Sequence, residues 1–300
     1  MGKRELVLVI GFAVAGVVLY QITAPPALAG APGFSISRLV DHLRRHIRGN
    51  SARAEVQSTR TEPVDASVDE LHLASSAQEI TIVGEARRDV SFDLTVTSTG
   101  YDEAEAKQHA EAAKLTIDRA GSAIAVKLKY PPEGRQRARL GIKVPARLRV
   151  RIERSDGRLE VAHVAALEAS TSGAGAAIRD VAGPVTVNQR GGPVSIDGAG
   201  SLRLTARGGN VKVQNITGLV TVQSFSGELS LAGVVGPVEI DARNTNLRLD
   251  ALKALKPPLR VTATNGSVRI AGLRTEARLD GNDAELDVAL DAPAPVAAGR

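Results

Sequence analysis

The 300-residue chain has no cysteine and no tryptophan, and it has four phenylalanines and three tyrosines. Without cysteine it forms no disulfide, holds no thiolate-bound metal and offers no cysteine nucleophile. With aromatic residues at 2% of the chain, no core can be built on rings, so the core is aliphatic. The same scarcity argues against single-stranded nucleic-acid binding, which needs stacking platforms, and against sugar clefts floored by flat side chains. A surplus of basic charge is also missing from most of the chain. The formal net charge is +5, of which residues 1–29 carry +1 and residues 30–60 carry +4, so that 61–300 balance to zero. A nucleic-acid-binding domain spreads its basic residues over a folded face, so no nucleic-acid partner is expected. His109 and His163 stand alone. No catalytic, cofactor-binding or metal-binding residue is assigned, and no small-molecule substrate is inferred.

What is present begins with a membrane signal. Lys3 and Arg4 precede an apolar run from Leu6 to Tyr20, and no charge falls between Glu5 and Arg38. Two readings of residues 1–29 stand side by side. Residues 6–23 make an uncleaved single-pass helix, near the lower limit of about 18 residues for a ~30 Å hydrocarbon core. Alternatively the segment is a signal peptide cut after Ala29, since Ala27-Leu28-Ala29 has the small-x-small spacing. Lys3 and Arg4 favour a cytoplasmic N-terminus with the body outside. Residues 30–69 read as a basic juxtamembrane helix and a linker. Ile36, Leu39, Val40, Leu43 and Ile47 form a helical stripe with a basic opposite face, suited to an anionic lipid surface or to packing on the domain. His42 and His46 have metal-ligand spacing but no obvious third ligand. Residues 49–69 are polar and irregular.

The body repeats itself. Each unit has two apolar–polar–apolar triplets, a turn between them, and one further apolar residue. Val185-Thr-Val187 and Val194-Ser-Ile196 make one unit, and Val220-Thr-Val222 and Leu229-Ser-Leu231 another. The series runs from Leu148-Arg-Val150 to Leu286-Asp-Val288. The closing residue falls at Val164, Val181, Ala199, Ile216, Val234, Leu252 and Leu273, at spacings of 17, 18, 17, 18, 18 and 21. The last spacing reflects an insertion over residues 253–258, either a partner loop or a tolerated bulge. Turns carry Gly157, Gly173, Gly191, Gly209, Gly227 and Gly266, with Asn244-Thr245 in the remaining place. Alternation with period 2 over a few residues means short strands with one buried face. A unit this short cannot bury its own face, but stacked units can. Eight rungs at about 4.8 Å would make a rod about 38 Å long over residues 148–290. The outward positions mix residue types: Thr186, Arg203, Thr221, Glu239, Arg260 and Arg278 on one side, and Ser195, Lys212, Ser230, Arg248, Arg269 and Asp287 on the other. Such mixed ladders exclude the regular threonine face of an ice binder. Phe225, the aromatic of the repeat, sits at a corner as an exposed contact or as a ring folded over the edge.

Residues 70–147 read as a β-rich cap with one helix. Strands are expected over 79–83, 90–96, 115–117, 123–128 and 138–144, and a helix over 102–113, opened by Asp102 and Glu105 spaced as a capping box. The final rung is acidic, with Asp280, Asp283, Glu285, Asp287 and Asp291. This order matches no calcium-loop pattern, and such acids would guard an open solenoid end against pairing with another chain. Residues 291–300 read as a disordered tail.

The order of these parts resembles the bacterial putative-adhesin domain of unknown function, the β-strand-repeat members of the toastrack-like group. The resemblance rests on a helix after Gly100 to Glu103, on the Val144-Pro145 step into Leu148, and on rungs such as Ser226-Gly227-Glu-Leu-Ser-Leu231 and Asn265-Gly266-Ser-Val-Arg-Ile270. It implies a single-stranded β-solenoid of the cell envelope, often membrane-tethered, and brings no catalytic residues. The expected fold is therefore all-β: a β-solenoid of about eight 17–18-residue rungs, an N-terminal β cap with one helix, and a preceding transmembrane helix. The expected function is that of a non-enzymatic, extracytoplasmic scaffold. It would contact the membrane through residues 6–23 and an envelope protein or polymer through the rod, or be secreted or periplasmic after cleavage at Ala29. A polysaccharide-acting β-helix enzyme and a sensory ectodomain are the alternatives.

Overall fold

The computed structural model describes residues 52–131, 135–250, 252, 255–290 and 296–299. The expected transmembrane or signal segment, the amphipathic helix at 35–48 and the His42/His46 pair lie outside the described residues. Among the described residues no helix is long and apolar enough to cross a membrane.

Among the described residues eighteen strands join in a single sheet that winds on itself as two ladders. The first ladder runs through β5 (Lys114–Ala120), β6 (Ala123–Lys129), β2 (Glu70–Ala74), β8 (Arg149–Ser155) and β10 (Ala166–Ser172). It continues through the second halves of β11 (Ala176–Arg190) and β12 (Val194–Arg207), then the first halves of β14 (Val220–Ala232), β15 (Val238–Asp250), β16 (Leu259–Leu273) and β17 (Ala277–Leu290). The second ladder starts at β1 (Ala52–Pro63), β4 (Asp89–Gly100), β7 (Arg137–Pro145), β3 (Glu79–Glu85) and β9 (Arg158–Ala162). It then takes the first halves of β11 and β12, β13 (Asn210–Ile216) and the second halves of β14 to β17. Pairing is antiparallel at β1–β4, β4–β7 and β5–β6, and parallel along the repeat.

The eight expected rungs are all present, and β2 with β3 adds another in front of them. The cap is thus continuous with the solenoid rather than a separate layer. Its strands β6 and β7 follow β2 and β3 in sequence but lie on their far side. The single described helix, α1 (Glu103–Glu111), opens as expected: Glu105 N–H donates to Asp102 Oδ1 at 2.8 Å, and Tyr101 N–H donates to Glu105 Oε2 at 2.8 Å.

Two expectations are corrected. Residues 52–63, read as part of a linker, form β1. The strand pairs with β4 alone and leaves most of its side chains exposed, so its sequence shows little of the apolar alternation that betrays buried strands. The connection after it is clamped. Arg119 reaches Asp65 at 2.6 Å, and Arg147 donates to the carbonyls of Val68 and of Asp65. The Ser67 hydroxyl, followed by the Arg119 guanidinium, holds the Asp65 carboxyl down to about 2. Residues 296–299, read as disordered, form β18 (Val296–Gly299) beside the first half of β17. An exposed β17 edge is a template that even a short Ala/Val segment can extend.

The interior follows the triplets. Val185, Val187, Val194, Ile196, Val220, Val222, Leu229 and Leu231 are all no more than 2% exposed. The closing residues from Val164 to Leu273 are no more than 5% exposed and form a third buried column. Each buried valine or leucine contributes about 1.5–3 kcal/mol. One such column suffices to seal the wall because the chain turns sharply before it. His163, Asp180, Gly198, Asn215, Gly233 and Gly272 each precede a closing residue, and each has φ between 51° and 80°. At the opposite corner, glycines stack for lack of room: a Cβ on Gly209 would lie 2.0 Å from the Gly192 carbonyl oxygen, and one on Gly227 2.2 Å from that of Gly209. At the far end of the stack burial fails, and Leu286 is 39% exposed. The insertion tucks Leu255 inward at 7% exposure, which favours the bulge reading over a free partner loop.

Candidate functional site: the outer faces of the solenoid

The polar middle residues of the triplets lie outside, exposed or half-buried, as their alternation requires. Among the hollows of this outer surface, three are lined by several charged or polar side chains. One, of about 590 Å³, lies on the second ladder and is lined by Arg158, Glu160, Arg179, Ser195, Lys212 and Glu228. Glu160 and Glu228 stand four rungs apart, about 19 Å at ~4.8 Å per rung. Paired-carboxylate glycoside cleavage needs roughly 5–9.5 Å, so these two cannot flank one bond. A second hollow, of about 320 Å³, lies in the cap beside Arg53, Arg135, Arg137 and Arg139.

The third, of about 450 Å³, follows the corner of the first ladder. Ser170, Ser172, Asn188, Arg190, Thr205 and Arg207 line it, with Glu153 at the side. Two buried side chains also border it. Gln189 is 1% exposed and Thr171 is 4% exposed. Gln189 Nε2 donates to the Gly192 carbonyl at 2.5 Å and to the Gly191 carbonyl. Gln189 Oε1 and Thr171 Oγ1 have no hydrogen-bond partner among the described residues. Phe225 stands at the next position along the column. It is half-buried, with the Arg207 guanidinium 5.9 Å and the Arg243 guanidinium 5.5 Å from its ring centroid. These are cation–π distances. Phe225 is thus not a bare contact: its half-buried ring sits between two guanidiniums.

Within the column Arg243 is paired with Asp241 at 3.3 Å, and elsewhere too charge is answered locally. Arg248 meets Asp250 at 2.5 Å, Arg269 meets Asp287 at 2.9 Å, Arg278 meets Asp280 at 3.0 Å and Arg260 meets Glu239 at 3.5 Å. Two acids of the final rung are therefore spent on arginines, and no group of three metal-ligating side chains occurs among the described residues. His163 Nδ1 lies 3.7 Å from Asp180 Oδ2, and His109 Nδ1 lies 3.3 Å from the Thr99 carbonyl oxygen. Neither faces a nucleophile in these contacts. The sequence reading missed the corner groove. Its signal was the 17-residue step from Arg190 to Arg207, one repeat period.

These features define a single-chain β-solenoid with a structured cap and a polar, laddered exterior. The chain belongs to the Toastrack DUF4097 family, whose model matches residues 68–293. No curated protein matches it. Among solved structures it is similar to one described as a putative cell adhesion protein from Clostridium sporogenes, at 10% identity and TM-score 0.36, covering 63% of this chain and 99% of that one. It is also similar to a putative adhesin from Bacteroides fragilis, at 11% identity and TM-score 0.38, covering 81% and 97%. A putative adhesin from Parabacteroides distasonis gives 8% identity and TM-score 0.34 over 81% and 97%. Likenesses this loose fix no residue correspondence.

Proposed function

We propose that the protein is a non-enzymatic interaction scaffold of the cell envelope, with its body on the extracytoplasmic side. Residues 6–23 tether it as a single membrane pass, or cleavage after Ala29 releases it. The observation that carries this reading is the outer face of the second ladder. It runs unbroken from β1 to β17 across twelve strands, about 53 Å at ~4.8 Å per strand. A stiff aliphatic interior supports it, and a long rigid polar face suits an extended partner better than a small substrate. Fractionation of the full-length chain with intact-mass analysis, followed by protease treatment of whole cells, tests the proposal. A species near 31.3 kDa in the membrane fraction that external protease shortens supports the tethered form. A soluble exported species lacking residues 1–29 supports the released form. An uncut chain in the soluble cytoplasmic fraction refutes both.

A further inference from the structure

We propose that the corner groove of the first ladder binds an acidic polysaccharide, with Arg190 and Arg207 reading its carboxylates. The inference rests on the scaffold reading and names the class of its partner.

The argument starts from a like-charge contact. Arg190 and Arg207 are in-register neighbours on adjacent rungs. Two cations so placed repel, and like charges directly opposite destabilise a sheet. Two other arginine pairs stand in register, Arg248 with Arg269 and Arg260 with Arg278. In both, each member has its own carboxylate. Arg190 and Arg207 have none among the described residues. A local rule broken without compensation inside the fold points outside it, and the missing compensation is an anion.

The second observation is the groove itself. Glu153 in the lining lies 3.0 Å from His72 Nε2, and Ser172 donates to Asp156; the remaining side chains beside the arginines, Ser170, Asn188 and Thr205, are hydroxyls and an amide. They both donate and accept, as the hydroxyl-dense edge of a sugar chain requires.

The third is spacing. Arg190, Arg207, Phe225 and Arg243 occupy consecutive rungs in one column. Arg243, at the end of the column, is held by Asp241 at 3.3 Å, so the groove offers Arg190 and Arg207, one rung or about 4.8 Å apart, a spacing suited to a linear polymer with carboxylates on successive units. Phe225 is the positioning residue: with a guanidinium on each side it holds Arg207 and Arg243 at fixed separation. Its ring is covered by these cations, so recognition is by charge and hydroxyl rather than by stacking. That fits a chain poor in aromatics and disfavours nucleic acid.

The test is calorimetric titration of the full-length chain in detergent with hexameric oligogalacturonate. Its fully methyl-esterified form and poly-glutamate serve as comparators. Binding of the acid form alone, lost at least tenfold in an Arg190→Gln/Arg207→Gln variant and retained in Arg248→Gln/Arg269→Gln, supports the proposal. Phe225→Tyr should retain affinity and Phe225→Leu should lose it, at unchanged melting temperature. Equal losses in the two arginine double variants overturn the groove assignment while leaving the scaffold reading intact. Equal binding of the ester or of poly-glutamate, or no binding at all, overturns the polysaccharide assignment. The scaffold reading itself falls by the fractionation experiment, which does not depend on any ligand.

Discussion

Adjacent glycines at one corner separate two costs that are usually mixed. Gly191 and Gly192 both have positive φ, 71° and 81°. A Cβ on Gly191 would meet nothing within 4 Å, whereas one on Gly192 would lie 2.0 Å from the Gly173 carbonyl oxygen of the preceding rung. Gly191→Ala therefore carries the left-handed backbone cost alone, about 1–2 kcal/mol. Gly192→Ala carries the same cost and must also open the corner by more than 1 Å to restore ordinary contact. The nearby inter-rung bonds are Gly173 N–H to the Arg190 carbonyl at 3.1 Å and Gly191 N–H to the Arg207 carbonyl at 3.0 Å. Losing both adds about 2 kcal/mol at ~1 kcal/mol each. In a domain of this size about 1 kcal/mol moves the melting temperature by roughly 2–4 °C. Gly192→Ala should thus melt about 4–8 °C below Gly191→Ala. Circular dichroism melts of the two variants read this directly. Equal melting temperatures would refute the claim that the rungs at this corner touch through their backbones.

The other predictions concern the walls and the cap. Val222, at 1% exposure, should not tolerate Val222→Asp, because an unpaired carboxylate in the interior costs several kcal/mol. Thr221→Asp, on the outward side of the same strand, should melt within a few degrees of wild type, and equal melting of the two would sink the inward–outward assignment. The folded-state carboxyl of Asp65 titrates at about 2, below its ordinary 3.8. Its contribution is therefore fully present above pH 3.8 and lost as pH falls through about 2. Asp65→Asn should flatten the fall in melting temperature between pH 4 and pH 2, and an unchanged acid limb would contradict the clamp. Leu286→Lys, at the exposed end of the stack, should be nearly neutral, whereas Leu231→Lys, fully buried, should prevent folding. Soluble yield and melting curves distinguish the two.

The repeat was legible because its code is local. Val185, Val187, Val194 and Ile196 alternate in sequence and point inward in the structure, and corner glycines such as Gly209 show themselves by spacing. What stayed hidden depends on partners distant in sequence. β1 carries few apolar residues because β4 alone covers its edge, so its backbone pairing and not its composition makes it a strand. Nothing in residues 123–145 announces that β6 and β7 lie ahead of β2 and β3, since the alternation is the same on either side. The left-handed column from His163 to Gly272 was veiled by mixed chemistry. Histidine, aspartate, asparagine and glycine share one backbone conformation there but no side-chain type. The groove was hidden for a related reason. Arg190 and Arg207 lie beyond the triplets, and their adjacency appears once the rungs are superposed.

The inverted order of the cap sets a direction on the whole rod. β2 and β3 precede β6 and β7 in the chain, yet their outer side is occupied by these later strands. The chain then passes through Pro145 and Leu148 to β8 and β9 on the inner side. The front of the stack is therefore closed by strands of the cap, and the repeat rungs extend from its other side. The stack thus has one end closed by the cap and one end, at β17, where further periods could be added, so its length follows the number of periods in the sequence. Removing one whole period, such as residues 220–237, would shorten the rod by one step of ~4.8 Å and leave every remaining corner in register.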